Sequence, residues 1–133
     1  MSNKQGVHGS CLCGGVEFIV SKFTRGVVAC HCTQCRKTSG NYVAATKARN
    51  TDISIISDRT LTWYRSSETA ERGFCNCCGG NMFWRKMGDD AVSIMAGPLD
   101  NPTGLQIEAH IYTDDAGDFY HIDGNQPGYP QGN

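Results

Sequence analysis

No apolar run in this sequence approaches the roughly 18 residues that a membrane-spanning helix needs. Its first residues, Met1-Ser2-Asn3-Lys4-Gln5-Gly6, lack the apolar core of a secretory signal. A soluble, cytoplasmic protein with no membrane partner is the expectation. An excess of charge of one sign is missing too: 12 basic residues stand against 13 acidic ones, for a net charge of −1. Such a chain carries no positive field to collect phosphates, so nucleic acid is not an expected partner. Helical periodicity is also scarce. No segment sustains a 3.6-residue apolar repeat over three turns, which excludes parallel βαβ units and confines helix to one turn, Thr33 to Thr38.

What remains reads as strands. Val16-Glu17-Phe18-Ile19-Val20, Gly26-Val27-Val28-Ala29-Cys30 and Tyr42-Val43-Ala44-Ala45-Thr46 are β-branched, aromatic or apolar and bounded by turn formers. Residues 53–56, 61–64, 81–84, 92–95 and 108–112 repeat the pattern. Short strands at this spacing imply packed antiparallel sheets, either a β-sandwich or a β-tent, within one domain of the 133-residue chain. The domain is expected over residues 7–122. Residues 123–133, rich in Gly, Pro, Asn and Gln, are expected to form a flexible tail.

Against this plain background stand eight cysteines, in three tight groups: Cys11 and Cys13; Cys30, Cys32 and Cys35; Cys75, Cys77 and Cys78. Disulfides close loops between separated positions, whereas thiols one or two residues apart suit several thiolates converging on one ion. Zinc is the expected cofactor, at two sites. Around a tetrahedral zinc the sulfurs lie roughly 3.8 Å apart, so ligands arrive as local pairs. On an extended strand Cys11 and Cys13 share a face, and Cys75 and Cys78 have the spacing of a zinc knuckle followed by Gly79-Gly80. These four are expected to form a closed, structural centre. Cys77 is read as a spare or buried thiol, with a swap for Cys78 as the alternative.

Cys30-His31-Cys32-Thr33-Gln34-Cys35 offers three thiols to one ion and leaves a fourth position open, the mark of a catalytic rather than structural zinc. An open centre loses its metal more easily than a closed one, so this second site can stand unloaded. His31 would face away from its flanking ligands on a strand, which suggests packing or hydrogen bonding, with ligation as the alternative. Arg36 and Lys37 follow directly. They either neutralise the thiolates or grip an anionic substrate, unless they are ordinary surface charge.

Three segments together carry a resemblance: Gly9-Ser10-Cys11-Leu12-Cys13-Gly14; Cys30 to Lys37 with Ser39-Gly40; and Phe74-Cys75-Asn76-Cys77-Cys78-Gly79. They resemble the glutathione-dependent formaldehyde-activating enzyme family, also called the centromere protein V family, over roughly residues 7–122. The resemblance implies a mainly-β, β-tent (Mss-four-like) fold pinned by zinc. It implies a structural zinc on Cys11, Cys13, Cys75 and Cys78 and a second zinc on Cys30, Cys32 and Cys35. The implied activity is that of a carbon–sulfur lyase, joining glutathione to formaldehyde as S-hydroxymethylglutathione, reversibly.

On that reading Cys30, Cys32 and Cys35 form the catalytic centre, Arg36 holds a substrate carboxylate, and His110 is a secondary acid–base candidate against the plainer role of a packed histidine. Two other functions fit the same cysteines. One is a non-catalytic zinc module with two structural sites. The other is a thiol redox enzyme using Cys77 or Cys35.

Overall fold

The computed structural model describes residues 6–132. In chain order they form β1 (Val7–Ser10), β2 (Val16–Val20), β3 (Arg25–Cys30), the helix α1 (Thr33–Ser39), β4 (Val43–Arg49), β5 (Ile53–Asp58), β6 (Leu61–Arg65), β7 (Ala70–Cys75), β8 (Asn81–Lys86), β9 (Ala91–Met95), β10 (Ile107–Ile111) and β11 (Gly128–Tyr129). The fold is mainly β, as expected. Two compact units divide it: residues 6–25 with 46–104, and residues 26–45 with 105–132.

In the first unit, β1, β2 and β5 make a three-stranded antiparallel sheet. A second sheet runs in the order β9-β8-β7-β6, with the Thr46–Arg49 end of β4 beside β9. The period-2 pattern of β2 turns Val16, Phe18 and Val20 inward and leaves Glu17 and Ile19 half-covered. Every residue of β9 is buried, consistent with its unbroken run of small and apolar side chains, Ala91-Val92-Ser93-Ile94-Met95. Phe18 meets Phe83 with ring centroids 5.2 Å apart, and Met82 and Ile94 fill the same core. Burying each such side chain contributes about 1.5–3 kcal/mol. Gly9 passes directly over the Phe18 ring, where a Cβ would lie 2.6 Å from Cζ, so β1 can approach only because this residue has no side chain.

His8 of β1 joins two carboxylates, Glu17 Oε2 at 2.6 Å and Asp100 Oδ2 at 2.8 Å. Its hydrogen bonds to the accepting carboxylates of Glu17 and then Asp100 raise its pKa above the ordinary 6.5. A raised pKa means that the folded state binds the proton more tightly. The stabilisation is fully present below pH 6.5 and is lost as pH rises through the folded value. With the imidazole and both acids partly exposed, screening limits the effect to at most about 1 kcal/mol. His8→Gln is expected to lower the denaturant midpoint slightly at pH 5.5 and not at pH 9. An equal loss at both pH values would assign the effect to packing instead.

In the second unit, β10 lies between β3 and β11 and is parallel to both. This differs from the all-antiparallel expectation. The rule that a parallel pair needs a crossover helix applies to strands close in sequence; here residues 31–106 serve as the connection between β3 and β10. Helix α1 begins at Thr33 as expected and runs one residue beyond Thr38, to Ser39, with both ends capped. The Cys32 thiol accepts from the Cys35 N–H, and Gly40, at φ 80°, donates its N–H to the Arg36 carbonyl. Of residues 123–133, Asn133 lies outside the described residues. The others include β11, and His110 and Tyr112 donate their N–H groups to the carbonyls of Pro127 and Gln131.

Strands β1 and β7 were not among the expected ones. Val7-His8-Gly9-Ser10 has one apolar residue, and Ala70-Glu71-Arg72-Gly73-Phe74-Cys75 carries two charges and a glycine. Their strand character comes from neighbours, since β7 is paired on both sides, to β6 and β8.

Candidate metal centres

The first group of thiols is assembled by two turns of the first unit. After β1, Cys11-Leu12-Cys13-Gly14 closes with Gly14 N–H on the Cys11 carbonyl at 3.2 Å, and Gly14 takes φ 81°. The extended strand expected for Cys11 and Cys13 is therefore corrected to a tight turn; Gly14 supplies the left-handed residue that lets the chain reverse. Leu12 stands 95% exposed at its tip. After β7, Gly79 at φ 79° likewise donates to the Cys75 carbonyl, and Cys75 N–H reaches the Gly80 carbonyl at 2.9 Å.

Together these turns bring the Sγ atoms of Cys11, Cys13, Cys75 and Cys78 within 4.8 Å of one another. Cys11 and Cys13 are 3.7 Å apart and Cys13 and Cys75 3.6 Å, close to the sulfur spacing around a tetrahedral zinc of roughly 3.8 Å and far beyond a disulfide bond of about 2.05 Å. Cys77 is exposed and outside the group.

Electrostatics divide the four thiols. Cys75 is fully buried, yet its sulfur accepts the N–H groups of Cys78 and Cys77 at 3.3 and 3.4 Å and faces the Thr60 hydroxyl at 3.1 Å. Donation by the Cys78 N–H, then by Thr60, holds its pKa down to about 5 from an ordinary 9.0. Backbone donation also lowers Cys78. Cys11 is raised, chiefly by burial. The set thus contains thiolate in advance of any ion and releases further protons when one binds.

The second group belongs to the second unit. Cys30 ends β3, Cys32 caps α1 and Cys35 lies buried in its first turn, with the three Sγ atoms within 4.8 Å of one another. The Cys35 N–H donates to Cys32 Sγ at 3.2 Å, matching the Cys78-to-Cys75 contact of the first group. Both pairs have two intervening residues, and both point a backbone N–H at the leading sulfur. Cys30 is pushed up by its contact with Cys35 and by burial, and Cys32 is raised chiefly by burial. Crowded, partly dry thiols of this kind are poorly satisfied without a cation among them.

Around this group the chain places polar residues that sequence reasoning did not bring together. His31 is only 1% exposed. Its Nδ1 lies 2.5 Å from the Tyr120 hydroxyl and its Nε2 3.0 Å from His110 Nδ1, so both ring nitrogens are engaged and a ligand role is left without a nitrogen. Burial, then the neighbouring His110, lowers its pKa. Arg36 gives Nη1 to the Asp115 carbonyl at 3.1 Å. Tyr120 carried no signal in the sequence, because it follows an irregular stretch rather than a motif.

A separate groove of about 310 Å³ in the first unit is walled by Ile53, Ile55, Leu61, Trp63, Phe83 and Val92, with Arg85 stacked 3.7 Å over the Trp63 ring and bonded to Glu71. It contains no thiol.

The family model for the glutathione-dependent formaldehyde-activating enzyme matches residues 6–115. The chain belongs to that family. All eight cysteines, His31, Arg36 and His110 fall inside the matched segment, whereas Tyr120 lies beyond it. A crystal structure of a Rhodobacter sphaeroides protein is similar at 20% identity, with a TM-score of 0.62 over 92% of this chain and 98% of that one; this shows a common fold alone. No curated protein is significantly similar in sequence. Membership in the formaldehyde-activating family ties the chain to glutathione- and formaldehyde-related chemistry, and its two cysteine groups could hold metal ions. No helix among the described residues is long and apolar enough to cross a membrane.

Proposed function

We propose that this protein is a zinc-dependent carbon–sulfur lyase of the cytoplasm, joining a small thiol such as glutathione to a small aldehyde such as formaldehyde, and reversing that step. The observation that carries the reading is the three-sulfur cradle of Cys30, Cys32 and Cys35, a donor set one short of a closed tetrahedral site. Those three thiols would hold the zinc. Bound there, the ion supplies positive charge that favours a thiolate and polarises an aldehyde oxygen.

The protein's own groups do the rest. Arg36 spends one of its five N–H donors on Asp115, which fixes the guanidinium, and offers the others to a carboxylate of the thiol substrate. In the addition, the substrate S–H gives up its proton and the sulfur pair forms a bond to the aldehyde carbon. The carbonyl π pair moves to oxygen, which takes a proton. The product is a hydroxymethyl thioether. Thiols add to formaldehyde unaided, so much of the gain must come from holding both reactants in register. The group of Cys11, Cys13, Cys75 and Cys78 would be the structural centre.

The test is formaldehyde consumption by zinc-loaded protein with and without glutathione, alongside zinc content per chain. Two zinc ions and glutathione-dependent consumption above the uncatalysed rate are expected. Two tightly held zinc ions without acceleration would favour a structural zinc module.

A further inference from the structure

We infer that the groove of the first unit is a separate binding site for a small organic cation with an apolar body, whose protonated amine is held by the Asp58 carboxylate. Strand β5 ends the three-stranded sheet and β6 ends the other; the two follow one another in the chain and, among the described residues, do not pair. Ile53 and Ile55 wall the groove on one side, Leu61 and Trp63 on the other. Register explains which residues of β5 face it. Ile53 and Ile55 lie opposite Val20 and Phe18, which are buried in the core, so they turn the same way. Alternation alone would bring Ser57 next. A bulge after Ile55 shifts the count by one and sets Asp58 opposite the buried Val16, so a carboxylate joins the core-facing row. Ile55 nonetheless stays 49% exposed, at the sheet's edge.

The opposite wall is built in advance of any ligand. Gly73 is registered opposite Trp63 on one side and Phe83 on the other, and a Cβ there would lie 3.1 Å from two indole carbons. Its missing side chain lets Trp63 lie down across β7 and reach Phe83, with ring centroids 6.0 Å apart at 22°. Arg85 covers the indole and is itself pinned, because Nε and Nη2 both bond Glu71 Oε1, at 2.8 and 2.5 Å. A wall held in this way loses little freedom when a ligand arrives, which favours binding.

Charge decides the kind of ligand. The groove has two charged side chains, Arg85 and Asp58. The Arg85 charge is met within the protein, by Glu71 and by the indole ring. Among the described residues no side chain pairs with Asp58 in the same way. The uncompensated charge is negative, so a cation is attracted and an anion repelled. At about 310 Å³ the space stands at the low end of the roughly 300–1,000 Å³ of small-molecule sites, which suits one compact amine rather than a peptide. An inward charge on an edge strand also discourages pairing with another sheet. That role needs no ligand, and probes matched in shape separate the two.

Tryptamine and indole-3-propionate share a ring and a chain length and differ in the sign of the terminal charge. Titrated into the zinc-loaded, nitrogen-15-labelled protein, tryptamine is expected to shift the amide signals of residues 53–63 and 83–92, and indole-3-propionate to bind about fivefold more weakly. Asp58→Asn should remove that preference and Asp58→Lys should reverse it. Asp58 is exposed, so both variants should keep the parent spectrum elsewhere. Equal binding of the two probes to the parent, or an unchanged preference in Asp58→Lys, would overturn the cation assignment. Shifts confined to other residues, or none at millimolar tryptamine, would overturn the site itself.

Discussion

Replacing Cys75 by serine is expected to leave the chain without a cooperative unfolding transition, even with zinc supplied. Cys75 closes β7 at zero exposure and draws three donors, from Cys77, Cys78 and Thr60, onto one sulfur. A serine oxygen is a poor zinc ligand in a thiolate set and sits closer to the backbone than sulfur does. A structural zinc contributes roughly 10–16 kcal/mol, against a net stability of about 5–15 for a whole domain, so losing the ion exceeds what the core can offset. Cys77→Ser is the contrast. That thiol is exposed and outside the group, and its substitution should change stability by no more than about 0.5 kcal/mol. Denaturant titration followed by circular dichroism separates the two; a Cys75→Ser protein melting alongside the parent would end the structural role of this centre.

Acid should act in the same sense. The pKa of Cys75 is depressed from 9.0 to about 5, so the folded state favours its thiolate. That contribution is complete above pH 9 and disappears as pH falls through about 5. Protons compete with any bound ion for this sulfur, so structure is expected to be lost as pH falls, read by circular dichroism across an acid titration.

Cys35→Ser should do the opposite, sparing the fold and removing the chemistry. Cys35 sits in the first turn of α1, where serine keeps the backbone hydrogen bonds and nearly the same volume. The site, however, drops from three sulfurs to two. A free thiol with a pKa near 8.5 is about 3% ionised at pH 7, so an ion that keeps a substrate thiol ionised raises the reactive fraction up to roughly thirtyfold. Catalysed formaldehyde consumption is therefore expected to fall by up to about thirtyfold through this effect, with the unfolding midpoint close to that of the parent. Undiminished turnover in a folded Cys35→Ser protein would take catalysis away from this cradle.

The two substitutions are expected to differ in outcome because the groups are built differently. One joins turns distant in sequence, after β1 and after β7; the other gathers residues 30–35 within a single loop and helix start. Cutting the first removes a long-range tie, while cutting the second removes only a local one.

Much of this was legible from residues alone. Thiols at one- and two-residue spacing can chelate only locally, so the grouping of Cys11 with Cys13, Cys75 with Cys78, and Cys30 with Cys32 and Cys35 is a property of chain geometry. The strands rich in β-branched and apolar residues, such as β2 and β9, were equally readable, since alternation or a run of small and apolar side chains reports how many faces are covered. Neither β7, with Glu71 and Arg72, nor the turn at Cys11 declared itself, because pairing on both edges and a positive φ at Gly14 arise from the assembled chain. Likewise the sequence could set His31 among cysteines but not name its partners. Tyr120 and His110 reach it only through the parallel register of β3, β10 and β11, a set of contacts spanning up to 89 residues that no local pattern encodes. Sequence by itself thus determined which thiols could share an ion, a short-range matter of bond lengths; tertiary structure decided what surrounds them, because hydrogen bonds between distant strands exist only once the sheet has formed.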